Sequence, residues 1–230
     1  ADIATCEARR VEYDETGREH EEGMLSFPFD ETTLSGIQAA SFQLDLIDPT
    51  LNSVCFKLIR RSLFMDNLIQ FPEAKRFAED TPTSTRLFLS SKTVAFVHQP
   101  LYHYTIASRS LTSSYSLSNA SDLLLDLADM CGAMHSVNPL FDTSNCIFNM
   151  LFSVEKQIAW ASDSLADRTE EKQLRQLIAD LKENRRPNLT DPRLTPFAKA
   201  KIAVSYLNLV PFACRWIEWL SFLPAINRLL

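Results

Sequence analysis

Residue 117 divides this sequence into two kinds of pattern. Before it, short apolar runs of strand type alternate with amphipathic stretches of helix type; after it only the helical period continues. The first part therefore has to build a sheet with helices packed on it, and the second has to be all helix. This gives an α/β class and two regions, 1–116 and 117–230.

In the first region, residues 2–6 read as a short strand. Val11–Tyr13 and the segment after Gly17 read as a polar hairpin turning at 14–17. From Thr33 to about Leu46, apolar residues at 34, 37, 40, 44 and 47 predict a helix, stopped by Asp48-Pro49. A second short helix is expected near Arg60. Pro82 suits the first position of a third, with Thr81 as N-cap, running to about Ser90 and burying Leu87 with Phe88 or Leu89. Strands at 93–98 and 101–106 follow. In the second region helices are predicted over 119–136, 143–163 and 168–184, where Leu174, Leu177, Ile178 and Leu181 make one stripe and Asp167 with Glu170 resembles a capping box.

Composition excludes several functions. Apolar residues make up 46% and charged residues 23%, the balance of an ordinary globular protein. The four glycines, at 17, 23, 36 and 132, are too scattered for a phosphate-cradling glycine loop. A net charge of −6 argues against nucleic acid as a partner. The acid is concentrated in residues 1–31, as expected of a solvated hairpin. Five cysteines without a C-x-x-C pair fit reduced thiols better than a disulfide framework. The four histidines lack metal-ligand spacing and are read as structural or surface residues.

The tail, 197–230, is rich in aromatic residues and poor in charge. Its uncharged run, 202–214, is shorter than the ~18 residues of a spanning helix. On a helix Phe212, Trp216, Trp219, Leu220 and Leu223 share one side, with Lys199, Lys201, Arg215 and Arg228 nearby. Docking on the protein's own core and contact with a membrane surface both require such a stripe, and both readings stay open.

The chemistry is carried by an ordered series of short motifs. Lys57-Leu58-Ile59-Arg60-Arg61 comes first, then Phe71-Pro72-Glu73, Glu79-Asp80, Leu101-Tyr102-His103-Tyr104, and Arg109-Ser110. A carboxylate such as Asp80, placed at the start of a helix, can stay ionised and take a proton; the competing reading is ordinary helix capping. Tyr102 and Tyr104 alternate on a strand and so share a face, where they line a cleft or simply cover the sheet.

Over residues 1–116 this series resembles the second half of the catalytic domain of family 2 glycosyltransferases. The resemblance implies a partial GT-A-like (Rossmann-like) mixed sheet with helices, followed by an all-helical C-terminal region. It implies transfer of a sugar with inversion from a nucleotide-sugar donor to a saccharide or lipid-linked acceptor, as in bacterial surface or exopolysaccharide synthesis. Asp80 falls on the family's general base and Glu79 on its acidic neighbour, which contacts acceptor hydroxyls. Lys57 falls beside the active site, and Arg109 and Ser110 fall in the loop that closes over the donor diphosphate. The Q-x-x-R-W motif of polymerising members is absent, which points to single-sugar transfer.

The family's D-x-D pair, which holds Mg²⁺ or Mn²⁺, is also absent: no Asp-x-Asp occurs in the chain. The resemblance therefore implies a chain without its donor-binding front and with no metal site of its own, one that binds donor poorly and turns over nothing measurable alone. A cut sheet is expected to leave an unpaired edge strand, a route to self-association. The implied location is cytoplasmic, at most peripheral on the inner membrane face. The other functional class left open is a non-catalytic interaction or membrane-docking module.

Overall fold

The computed structural model describes residues 1–14, 16–73, 75, 77–106, 114–161 and 168–214. Five strands form one mixed sheet: β1 (Ile3–Tyr13), β2 (Glu19–Leu25), β3 (Thr33–Ser35), β4 (Lys57–Ile59) and β5 (Thr93–Thr105). Its spine is the parallel pair β1 and β5. β3 runs antiparallel on the outer side of β5, while β4 and then β2 pair antiparallel with the other edge of β1. The hairpin turns as expected. Asp14 Oδ1 accepts from the backbone N–H groups of Thr16 (2.9 Å) and Arg18 (3.0 Å), and Gly17 takes the left-handed φ of 79°.

Two strand expectations are corrected. β1 is a single strand of 11 residues, so Glu7–Arg10, which fell between the two predicted segments, belong to it. The runs 93–98 and 101–106 are one strand passing through Pro100. Val97 faces Cys6 and Pro100 faces Glu7, so the extra residues of β5 bulge out there. The N–H that proline lacks falls where the ladder is already interrupted.

The helices are α1 (Gly36–Leu46), α2 (Pro49–Asn52), α3 (Arg61–Asp66), α4 (Asp80–Ser90), α5 (Leu117–Val137), α6 (Ser144–Trp160), α7 (Arg168–Lys182) and α8 (Pro196–Tyr206). Helix α1 starts three residues later than predicted, because Thr33–Ser35 are drawn into the sheet; Ser35 and Gln38 then close a capping box. Helix α4 starts earlier than predicted, at Asp80. Pro82 sits inside its first turn, where no intrahelical N–H is required, and Thr81 is no cap. The expected Asp167 cap lies outside the described residues.

One hydrophobic core runs from the sheet (Ile3, Val94, Phe96) through α1 and α4 (Leu44, Leu87, Phe88) into α5, α6 and α8 (Met130, Phe148, Leu151, Ile202). Polar links reinforce the join. Asn149 of α6 donates to the carbonyls of Asp45 (3.4 Å) and Leu46 (3.0 Å) at the end of α1, and Arg86 of α4 donates to both carboxylate oxygens of Asp129 on α5 (2.6 and 2.8 Å). Each link gives a partner to groups that would be costly to leave bare.

The described part of the tail is docked. Ala198, Ile202, Ser205, Val210 and Cys214 are buried, and the ring of Tyr206 meets Phe148 edge-on at 5.4 Å. Phe197 (73% exposed) and Phe212 (66%) stay in solvent. Trp216, Trp219, Leu220 and Leu223 lie outside the described residues. Among those described, no helix is long and apolar enough to cross a membrane.

Candidate functional site

Where α4 begins, its first turn faces the far end of the β1–β5 pair across a cleft of about 490 Å³. Glu79, Asp80 and Thr81 form one wall, Asn52 and Ser53 the floor beside it, and Phe56, Arg10 and Tyr104 the opposite side. Arg10 and Tyr104 are partners in the sheet register, which explains why they reach the same wall.

Asp80 is half-buried and positioned by its carboxylate rather than by capping. Its Oδ2 accepts from Ser53 Oγ and from the backbone N–H of Val54, both at 3.2 Å. Among the described residues nothing donates to Oδ1. The residue before the helix, Glu79, makes no side-chain cap bond either. Both acids line the cleft.

A buried polar network fixes this first turn. Gln43 of α1, fully buried, donates through Nε2 to Thr81 O (2.9 Å) and Asn52 Oδ1 (3.2 Å), and accepts from Thr85 Oγ1 (2.9 Å). Ser84 Oγ donates to Asn52 O (2.8 Å). The polar run 81–85 is buried throughout, and the hydroxyls of Thr83, Ser84 and Thr85 each find a backbone or amide partner.

Lys57 lies beneath the cleft, not in it. Its ammonium donates to the carbonyls of Thr50 (3.2 Å), Leu51 (3.0 Å) and Ser53, and stands 5.4 Å from the centre of the Phe88 ring. Burial pulls its pKa from the ordinary lysine value down to about 7, against the opposing pull of the Asp80 charge. It thus props the turn of α2 from behind, while Ser53 on the same turn holds Asp80 in front.

Phe56 stands between the two tyrosines, meeting Tyr102 at 5.3 Å and Tyr104 at 5.8 Å. The tyrosines do share a face. Tyr104 opens on the Asp80 cleft, whereas Tyr102 lines a smaller apolar pocket of about 270 Å³ on the far side of Phe56, with Cys55 and Leu58. Arg109 and Ser110 lie outside the described residues. Among those described, no group of three or more His, Cys, Asp or Glu side chains is arranged to hold a metal ion.

The structure thus brings Glu79, Asp80 and Tyr104 to one cleft, puts Tyr102 one wall away and Lys57 underneath. Arg10, Ser53, Phe56 and Gln43 were not foreseen. Strand alternation carried through residues 7–10 would have placed Arg10, and a proline-led polar run buried at helix spacing would have pointed to Gln43's network.

No protein-family model and no curated protein matches this sequence. Solved structures do. The structure of S. aureus TarS 1-349 in complex with UDP-GlcNAc is similar with a TM-score of 0.46 and 18% identity, over 94% of this chain and 60% of that one. The TarS 1-349 complex with UDP is similar with a TM-score of 0.45 and 16% identity, over 94% and 58%. The chain spans about three-fifths of the length of these two structures.

Proposed function

We propose that this chain carries the acceptor-binding face of an inverting family 2 glycosyltransferase that uses a nucleotide-sugar donor, with Asp80 as general base. The observation that carries the reading is that Asp80, held by Ser53 and Val54 through one oxygen, lines one cleft together with Glu79 and Tyr104. Asp80 takes the proton of an acceptor hydroxyl. The hydroxyl oxygen bonds to the anomeric carbon of the donor, and the nucleoside diphosphate leaves with the electrons of the broken C–O bond. Glu79 accepts from neighbouring acceptor hydroxyls, and the apolar faces of Tyr104 and Phe56 pack against the sugar ring.

The donor side is assigned to the loop holding Arg109 and Ser110 and to a donor-binding region that this sequence, without a D-x-D pair, does not supply. Among the described residues no group of three or more His, Cys, Asp or Glu side chains is placed to hold a metal ion, and no step here runs through one. The setting we assign is synthesis of a bacterial surface polysaccharide on the cytoplasmic side of the membrane.

The test is transfer by the protein expressed from its complete coding sequence, followed as nucleoside diphosphate release with a panel of UDP-sugars, saccharide acceptors and Mg²⁺ or Mn²⁺. Asp80→Asn keeps an oxygen for Ser53 and Val54 and should lower kcat about 10²- to 10⁴-fold. Equal turnover by the variant, or no transfer from any donor, would remove the reading. A second reading, docking on a membrane surface through the tail, has the exposed Phe197 and Phe212 in its favour. It requires co-sedimentation with anionic vesicles that Phe197→Ser/Phe212→Ser abolishes.

A further inference from the structure

The side of the cleft opposite Asp80 carries a cation that the fold leaves unpaired. Arg9 and Arg10 are neighbours on β1 and differ in what they meet. Arg9 reaches Glu21 of β2 at 4.0 Å. Arg10 lines the Asp80 cleft, and among the described residues its guanidinium has neither an ion pair nor a hydrogen-bond acceptor. The space beside it is open. Its antiparallel neighbour on β2 is Gly23, where an added methyl group would meet nothing within 4 Å. Its neighbour on β5 is Tyr104, and just beyond, the Ile106 N–H donates to Val11 O at 2.9 Å as the chain leaves that strand. Arg109 and Ser110, the residues assigned to the donor, follow in sequence.

Displacement with inversion sets a geometric condition. The attacking and leaving oxygens stand on opposite sides of the anomeric carbon. The base that serves the first and the group that stabilises the second therefore belong on opposite walls. Glu79 and Asp80 occupy one wall of this cleft and Arg10 the other. A guanidinium suits a leaving diphosphate, because its planar fork of N–H groups matches two phosphate oxygens at once.

We propose that Arg10 binds the diphosphate of the nucleotide-sugar donor and stabilises the charge that it acquires on leaving; the inference rests on the reading of Asp80 as the base. The acceptor hydroxyl gives its proton to Asp80, and its oxygen bonds to the anomeric carbon. The bond from that carbon to the diphosphate oxygen breaks, and the electron pair stays on the diphosphate, which accepts hydrogen bonds from the Arg10 guanidinium. No proton passes to or from Arg10.

The experiment compares the native protein, expressed from its complete coding sequence, with Arg10→Gln, Arg10→Lys and Asp80→Asn. Nucleoside diphosphate release is followed against UDP-sugar and against acceptor concentration, with UDP added as product inhibitor. Arg10→Gln should lower kcat/KM for the UDP-sugar about 10²- to 10³-fold and weaken inhibition by UDP, with the acceptor KM unchanged. Arg10→Lys keeps a charge without the fork and should fall between the two. Asp80→Asn should lose turnover and keep UDP inhibition, which separates the two residues. Arg10 is exposed, so urea unfolding should not change. Should Arg10→Gln fail to fold, the same measurements on Arg10→Lys decide. Native kinetics in Arg10→Gln would overturn the inference and leave the reading of Asp80 standing. So would a loss confined to the acceptor KM, which would make Arg10 an acceptor contact. No transfer by the native protein from any donor would remove both.

Discussion

Replacing Lys57 by methionine should change how stability depends on pH, and the sign follows from where the ammonium sits. An unfolded lysine titrates near 10.5, the folded one near 7, because its amine is sealed under the α2 turn. Below pH 7 both states are protonated and the cost of burying the charge is fully present. Between pH 7 and 10.5 the unfolded chain holds a proton that the folded chain has released, so stability rises with pH, by about 1.4 kcal/mol per unit at the steepest. Above 10.5 the contribution is constant. The three carbonyl acceptors match the three N–H groups of the ammonium and work against burial, so ~5 kcal/mol across the window is an upper bound. Methionine keeps an unbranched apolar side chain in the buried position and removes the titration. Urea unfolding of both chains from pH 6 to 10 should give a stability difference, native minus variant, that climbs through this window, with all other titrating groups cancelling. Asp80→Asn sharpens the test: losing the charge that supports the ammonium should start the climb at lower pH. Parallel curves for the native chain and the Met variant would mean that the ammonium reaches water, and Lys57 would again be a side chain free to bind ligand.

Two further substitutions probe the frame of the site. Gly36→Ala drives a methyl group into the backbone carbonyl oxygens of Phe88 and Ser91, where the start of α1 meets the end of α4; a loss of at least about 1–3 kcal/mol is expected in urea unfolding, since neither carbonyl is a side chain that can rotate away. Lys182→Met leaves Glu155, Ser205 O and Asn208 without the ammonium that now binds all three at 2.8, 2.6 and 3.0 Å. The side chains of Lys182 and Glu155 are each only 10% exposed, so stability should fall by about 3–5 kcal/mol, and the double variant with Glu155→Gln should recover part of it.

The elements legible in the sequence are those whose signal is local and repeated. Helices α5 and α7 appear within two residues of their predicted ends because leucines recur at helical spacing and nothing in the tertiary structure competes. The misplacements have tertiary causes. Thr33–Ser35 carry a helical period but lie against Thr93–Ala95, and the sheet takes them. Pro100 reads as a strand boundary, yet the bulge opposite Glu7 needs no donor there. The motif singles out Asp80, while the residues that hold its carboxylate and its helix turn carry no local signal. Ser53, Val54 and Gln43 meet the start of α4 across 26 to 38 positions of sequence, and no local pattern encodes such a meeting.

The basic motif at 57–61 changes its meaning for the same reason. Read along the chain, a lysine near a proposed diphosphate site is a ligand; read in the fold, its charge is spent on three carbonyls of the turn that carries Ser53. Ser53 in turn holds the carboxylate of Asp80. Lys57 and Asp80 are thus the two ends of one support, and the Asp80 charge favours the ammonium. The lysine that precedes the E-D pair of this chain is then explained by the support it gives to the turn that holds Asp80.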